Sequence, residues 1–174
     1  MRKIIHSLLL GLLLTSFPSQ LFAVTEGQLR VAYLYNITKF IQWPEKTFES
    51  EKLPINICII GKTLFKEELE SLQDKIIFGH RLNIYYYKNN ENFDKCHIAY
   101  ISDSNKNTFE DVLEKIKGKN IVTISAINMF ANKGGMIELR KQKNKIILYI
   151  NIQSIHNENL LLSSKVLGLA RIVK

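Results

Sequence analysis

The sequence predicts a single α/β domain built on a mostly parallel sheet, and three observations predict it. Short apolar, β-prone runs recur at residues 54–60, 81–87, 96–102 and 120–124. Amphipathic segments with helical spacing fall between them, most clearly at 109–116. Near the C-terminus two apolar strands, 136–140 and 146–150, flank a polar, Lys-rich turn. Strands that alternate with helices favour parallel pairing, because the crossover helix returns the chain to the end of the sheet where it began. Two strands joined by a short polar turn pair antiparallel.

Each element has a local reason. From Gly27 to Gln42 the spacing is helical: Leu29, Tyr33, Ile37 and Ile41 share one face, Leu34 and Phe40 lie beside it, and Arg30 and Lys39 point to water. Trp43-Pro44 stops that helix, since proline disfavours helical geometry in the residue before it. Pro54 to Ile60 reads as a buried strand closed by Gly61, and Phe65, Leu69 and Leu72 give the next segment a helical stripe. That is a first βα unit. Residues 81–87 are β-prone, and Cys96 to Ser102 forms another buried strand. Phe109, Val112, Leu113 and Ile116 then sit at i, i+3, i+4 and i+7 of a helix that Gly118 ends. Asn120 to Ile124 supplies a further strand, followed by the hairpin, a short polar helical segment (151–158) and a last apolar helix (164–172) capped by Ser163. The expected fold is a Rossmann-like sheet with flanking helices and a C-terminal antiparallel hairpin, without repeats or linkers.

Residues 1–23 read as an address instead of structure. Arg2 and Lys3 form a charged start, Ile4 to Phe17 is mostly apolar, and Leu21, Phe22 and Ala23 make a cleavage site before Val24. The apolar stretch falls short of the ~20 residues that span hydrocarbon. The expectation is therefore a signal peptide over 1–23 and one exported domain over 24–174, with no membrane insertion after cleavage. The formal net charge is +8, and two of those charges lie in the leader. The lysines are spread among Ile and Asn; only residues 140–145 (RKQKNK) cluster, and their place between two strands makes them a solvated hairpin tip, not a nucleic-acid site.

Motifs that would carry chemistry are incomplete. Ile60-Gly61-Lys62-Thr63 follows a strand, but a phosphate-binding loop needs a glycine five positions before its second one, and Asn56 stands there. Gly134-Gly135 reads as a turn. His80, His97 and His156 are isolated in sequence, and adjacent Cys96 and His97 point to opposite faces of a strand and cannot chelate together. Ser125 and Ser163-Ser164 lack the context of an activated nucleophile. No catalytic, cofactor or metal site is expected. Tyr85 and Tyr87 share one strand face with Tyr86 on the other, which leaves tyrosine exposed for a protein contact. Cys58 and Cys96 each lie in or beside an apolar strand; in an oxidising compartment they either bridge or remain two buried small hydrophobes.

Taken in order, LYNITKFIQWP (34–44), INICIIG (55–61), CHIAYIS (96–102), KGGMIEL (133–139), YIN (149–151) and SSKVLGLARIV (163–173) resemble the YfiR family of exported bacterial proteins. The resemblance runs over essentially the whole chain after the leader. It implies a periplasmic, non-enzymatic regulator in a Gram-negative bacterium. Such proteins bind the periplasmic part of a membrane diguanylate cyclase, restrain cyclic di-GMP production and release it under envelope or redox stress. It further implies a homodimer and a Cys58–Cys96 disulfide. A second cysteine pair that some relatives carry near the late hairpin has no counterpart here, and other relatives occur with other membrane receptors. The residues that bind the partner are not indicated. The competing expectations are a small-ligand binding module using the strand ends near Gly61, Ser102 and Ser125, where open α/β sheets bind ligands, and an exported hydrolase, for which no nucleophile–base pair is present.

Overall fold

The computed structural model describes residues 24–48, 53–88, 91–143 and 145–173. The expected signal segment, with Ala23 of its cleavage pair, lies outside these residues; Val24 begins them and is exposed. Helix α1 (Glu26–Thr38) opens with a capping box. The Thr25 hydroxyl accepts from the Gln28 amide at 3.1 Å, and the Gln28 side chain accepts from the Thr25 amide at 3.0 Å. Two of the helix's otherwise unpaired donors are thereby satisfied. Val31, Leu34 and Ile37 form its buried face.

The helix ends at Thr38, four residues short of the expected Gln42. The Phe40 amide bonds the Ile37 carbonyl at 2.8 Å, tightening the last turn, and Ile41–Gln42 becomes strand β1. The cause is tertiary: β9 (Leu161–Leu162) offers an antiparallel partner, and the pair forms a small separate sheet. Ile41 is buried as a strand residue instead of a helical one.

The main sheet has eight strands: β2 (Ile55–Ile60), β3 (Ile76–Ile77), β4 (His80–Tyr87), β5 (Ile98–Ile101), β6 (Val122–Ser125), β7 (Ile137–Gln142), β8 (Lys145–Asn151) and β10 (Arg171–Val173). Their order is β10-β8-β7-β6-β5-β2-β4-β3. The central five, β4-β2-β5-β6-β7, are mutually parallel. β7 and β8 form the expected antiparallel hairpin, closed by the Lys-rich tip. The chain goes from β2 outward to β4 and then crosses back past β2 to β5, so the winding direction reverses between β2 and β5.

Alternate residues of the central strands face two cores. One face packs Ile57, Ile59, Ile98, Tyr100 and Ile124 against α1, Leu69 of α2 (Lys66–Glu70), Ile155 of α4 (Ile152–Asn157) and Val166 of α5 (Ser164–Leu167). The other packs Ile60, Ala99, Ile101 and Phe93 against Phe109, Val112 and Ile116 of α3 (Phe109–Ile116). Burial on both faces explains why β2 and β5 are apolar runs without alternation. Each fully buried Ile contributes about 1.5–3 kcal/mol.

The expected terminal helix over 164–172 is also corrected. Helix α5 stops at Leu167, Gly168 caps it, and Arg171–Val173 turns into strand β10, parallel to β8. A four-residue helix with one buried side chain, Val166, gains little. The open edge of β8 offers a full row of backbone partners to the residues that follow.

Candidate functional site

In an open parallel sheet the place to look for function is the carboxyl end of the strands where the winding reverses. Here that point is made by the loops after β2 and β5, beginning at Gly61 and Ser102. The structure brings those two expected residues together, and their polar groups serve the loops themselves. Gly61 has φ +93° and its amide donates to the Tyr87 carbonyl at 3.0 Å; the Lys62 amide donates to the Ser104 hydroxyl at 2.9 Å. These are amides that a phosphate loop would turn toward its ligand. The Ser102 hydroxyl donates to the Lys62 carbonyl. A Cβ on Gly61 would stand 2.2 Å from Asn105 Oδ1, so Asn105 fills the space that the glycine leaves. Ser125, fully buried one strand over, donates to the Ile101 carbonyl at 2.7 Å and accepts from the Ile127 amide at 3.1 Å. A depression of about 450 Å³ remains beside these loops, lined by Asp103, Lys106, Phe109, Ala126 and Asn128 among others.

An ionic cluster that the helical pattern missed closes the same end. Arg30, expected to face water, is only 12% exposed and donates to Glu26 and Asp103, each at 2.6 Å. Its guanidinium also lies 3.5 Å from the Tyr100 hydroxyl and over the Phe65 ring. Burial opposes its charge, yet the Asp103 hydrogen bond and the nearby Tyr100, Asp103 and Glu26 hold Arg30 above its ordinary pKa. Desolvation dominates at Tyr100 and pushes its phenol up to about 12. Lys141 from the hairpin tip bonds Glu26, and this contact lowers the Glu26 carboxyl. The N-terminal helix, the hairpin and the β5 loop are thus tied by charge. The one local signal for it is the i, i+4 spacing of Glu26 and Arg30, which the reading of Arg30 as solvated passed over.

At the opposite end the structure corrects the reading of isolated histidines. His80 and His97 flank the Phe48 ring, with centroids 4.7 and 4.8 Å away, and Trp43 packs edge-on to Phe48 at 5.6 Å. His97 Nδ1 accepts from the Asn56 amide at 3.0 Å. Burial first and the neighbouring His80 second push His97 down to about 4. His156 does not join them. Among the described residues no group of three or more His, Cys, Asp or Glu could hold a metal ion.

Cys58 and Cys96 are joined in a disulfide with Cα atoms 5.8 Å apart. Cys58 is mid-strand in β2, facing the core of α3, and Cys96 lies just before the parallel neighbour β5. His97, although it precedes β5 as Cys96 does, points to the other face, toward Phe48 and the Asn56 amide. Gly134-Gly135 is a turn: Gly134 has φ +98°, and a Cβ on Gly135 would stand 2.2 Å from the Phe130 ring. Ser163 caps α5, accepting from the Lys165 amide at 3.4 Å. Tyr85 and Tyr86 are both partly exposed.

These features define a one-domain α/β protein whose strand-end loops are occupied by its own side chains. The chain belongs to the YfiR/HmsC-like family, whose sequence model matches residues 27–171. No curated protein sequence matches it. Among solved structures it is similar to the ABC domain in complex with L-Trp from Streptococcus pneumonia, with a TM-score of 0.50 and 10% identity over 68% of this chain and 55% of that one. The chain spans about half the length of that structure, and the likeness is one of fold. Among the described residues no helix is long and apolar enough to cross a membrane.

Proposed function

We propose that this chain is a non-catalytic periplasmic regulator that binds the external part of a membrane diguanylate cyclase and inhibits it, lowering cyclic di-GMP. The observation that carries this reading is the family match over residues 27–171. The inward-turned loop amides at Gly61 and Lys62 support it, because they leave recognition to the surface. Export, with cleavage between Ala23 and Val24, would place the domain beside the receptor's outer half; N-terminal sequencing of the purified protein tests the cut. A homodimer belongs to the same reading. Deleting the gene should raise cyclic di-GMP and biofilm formation. Unchanged levels in a strain that retains the cyclase would overturn the proposal.

A second reading, favoured by the depression beside Asp103 and Asn128, is a periplasmic small-ligand module or an accessory to another receptor. A thermal-shift panel of metabolites separates the two. A ligand at 100 times its Kd adds about 2.7 kcal/mol to stability.

A further inference from the structure

The β7–β8–β10 end of the sheet has one face that neither core covers. Glu138, Tyr149 and Arg171 are cross-strand neighbours in register on it, with Arg140 and Ile147 one step along. Ile147 and Val173 pack against neither hydrophobic cluster. What covers Tyr149 is cationic. The Arg140 guanidinium lies 3.7 Å from its ring centroid, and Arg171 donates to its hydroxyl at 3.0 Å.

Charge on this face is unbalanced. Glu138, fully buried, accepts from Arg140 Nε at 2.6 Å and from the Ala131 amide at 3.3 Å, which accounts for one guanidinium. Among the described residues Arg140 Nη2 is enclosed without a hydrogen-bond partner, and Arg171 has only the neutral tyrosine hydroxyl. Beside them β10 is the last strand of the sheet among the described residues, so one side of its backbone bonds β8 and the other faces none of the described strands. Leu169, just before β10, and Ile172 within it are 80% and 48% exposed. An open strand edge is a template for another extended segment, and two converging guanidiniums select carboxylates.

We propose that the β10 edge, with Arg171, Arg140 and Tyr149 on its open face, docks an extended acidic segment of a protein partner. The segment adds a strand beside β10, its apolar side chains meet Leu169 and Ile172, and its carboxylates meet the guanidiniums. A second copy of this chain fits poorly, since a two-fold pairing of β10 with itself would bring Arg171 toward its own kind. Which protein supplies the segment rests on the regulatory reading above; the docking chemistry does not.

The test therefore uses a probe of defined chemistry in place of the cyclase. Protein purified from the periplasm and labelled with nitrogen-15 is titrated with the capped peptide Val-Glu-Val-Glu-Val, and with its Gln and Lys counterparts. The Glu peptide should shift the amides of residues 169–173 and 147–149, bind more weakly as salt is raised, and bind better than the Gln peptide. Arg171→Glu, at an exposed position, should weaken the Glu peptide about tenfold or more and gain binding to the Lys peptide; Arg171→Gln should fall between. Equal binding of all three peptides would overturn the proposal, as would shifts confined to the opposite, β3–β4 edge of the sheet or no change on charge reversal. So would shifts of the β10 amides with protein concentration alone, which would assign the edge to a second copy. The same shifts produced by phosphatidylglycerol vesicles would assign it to a membrane surface. Unchanged cyclic di-GMP on gene deletion, with peptide binding intact, would sink the regulatory reading and leave the docking site standing.

Discussion

Removing the Cys58–Cys96 bridge is the perturbation whose size the structure sets most directly. The bridge closes a loop with a sequence separation of 38. In the chain-entropy account a loop of that length restrains the unfolded chain by about 4 kcal/mol at 25 °C. The native side loses little, since both residues are buried in the α3-side core and act there as small hydrophobes once the bond is gone. For a domain of this size, 4 kcal/mol corresponds to a drop in Tm of about 8–16 °C. The experiment compares oxidised wild type, reduced wild type and Cys58→Ala/Cys96→Ala by thermal and urea unfolding. Both altered forms should lose similar stability. The urea m value should rise, because an uncrosslinked unfolded chain exposes more surface. Free thiols in denatured, non-reduced protein would refute the bridge itself; a Tm drop below about 3 °C with an unchanged m value would refute the loop argument.

Three further outcomes follow from the same geometry. Gly61→Ala places a Cβ at positive φ against Asn105 and should cost about 2–4 kcal/mol in chemical denaturation; a neutral result would mean that the β2 and β5 loops are not interlocked. Glu138→Gln leaves the Arg140 charge half-enclosed without its carboxylate and should cost about 2–3 kcal/mol, read by urea midpoint. His97 is held down to about 4 against an ordinary 6.5, so between these values the unfolded chain binds the proton and the folded one does not. The sign follows: this contribution is fully present above pH 6.5 and is lost as pH falls toward 4. His97→Asn, which keeps an acceptor for the Asn56 amide, should flatten the pH dependence in that window. The single tryptophan, Trp43, reports the event by fluorescence because its ring lies 6.5 Å from the imidazole.

Helix α3 shows how much was legible in advance. Its four apolar residues at i, i+3, i+4 and i+7 form a complete period, and the structure has the helix over Phe109–Ile116. The apolar runs of β2 and β5 and the β7–β8 hairpin were equally plain, because burial on both faces or a polar tip leaves a local trace. Ile41 and Ile172 mark the opposite case. Both continue a helical pattern in sequence, yet both are strand residues, because β9 and β8 present unpaired backbone that sequence spacing cannot register. The contacts of Arg30 with Asp103 and Tyr100 and the His80–Phe48–His97 stack were missed for a related reason: the partners lie far apart in sequence, and a charged or aromatic residue looks the same whether its partner is water or protein.

By itself, the sequence determined the alternation of strands and helices, the two cysteines, the resemblance to one family and the expectation of export. Each of these depends on residue type at short range, where periodicity and composition are physical causes. Only the tertiary structure decided that Gly61 and Ser102 meet at the reversal of the sheet with their amides and hydroxyls already spent. It also decided that Cys58 faces Cys96, and that Arg140 and Arg171 converge on Tyr149 at an open edge. Those are outcomes of strand order and register. Which side chains share a face depends on which strands lie side by side, and that order is set by closing both cores at once.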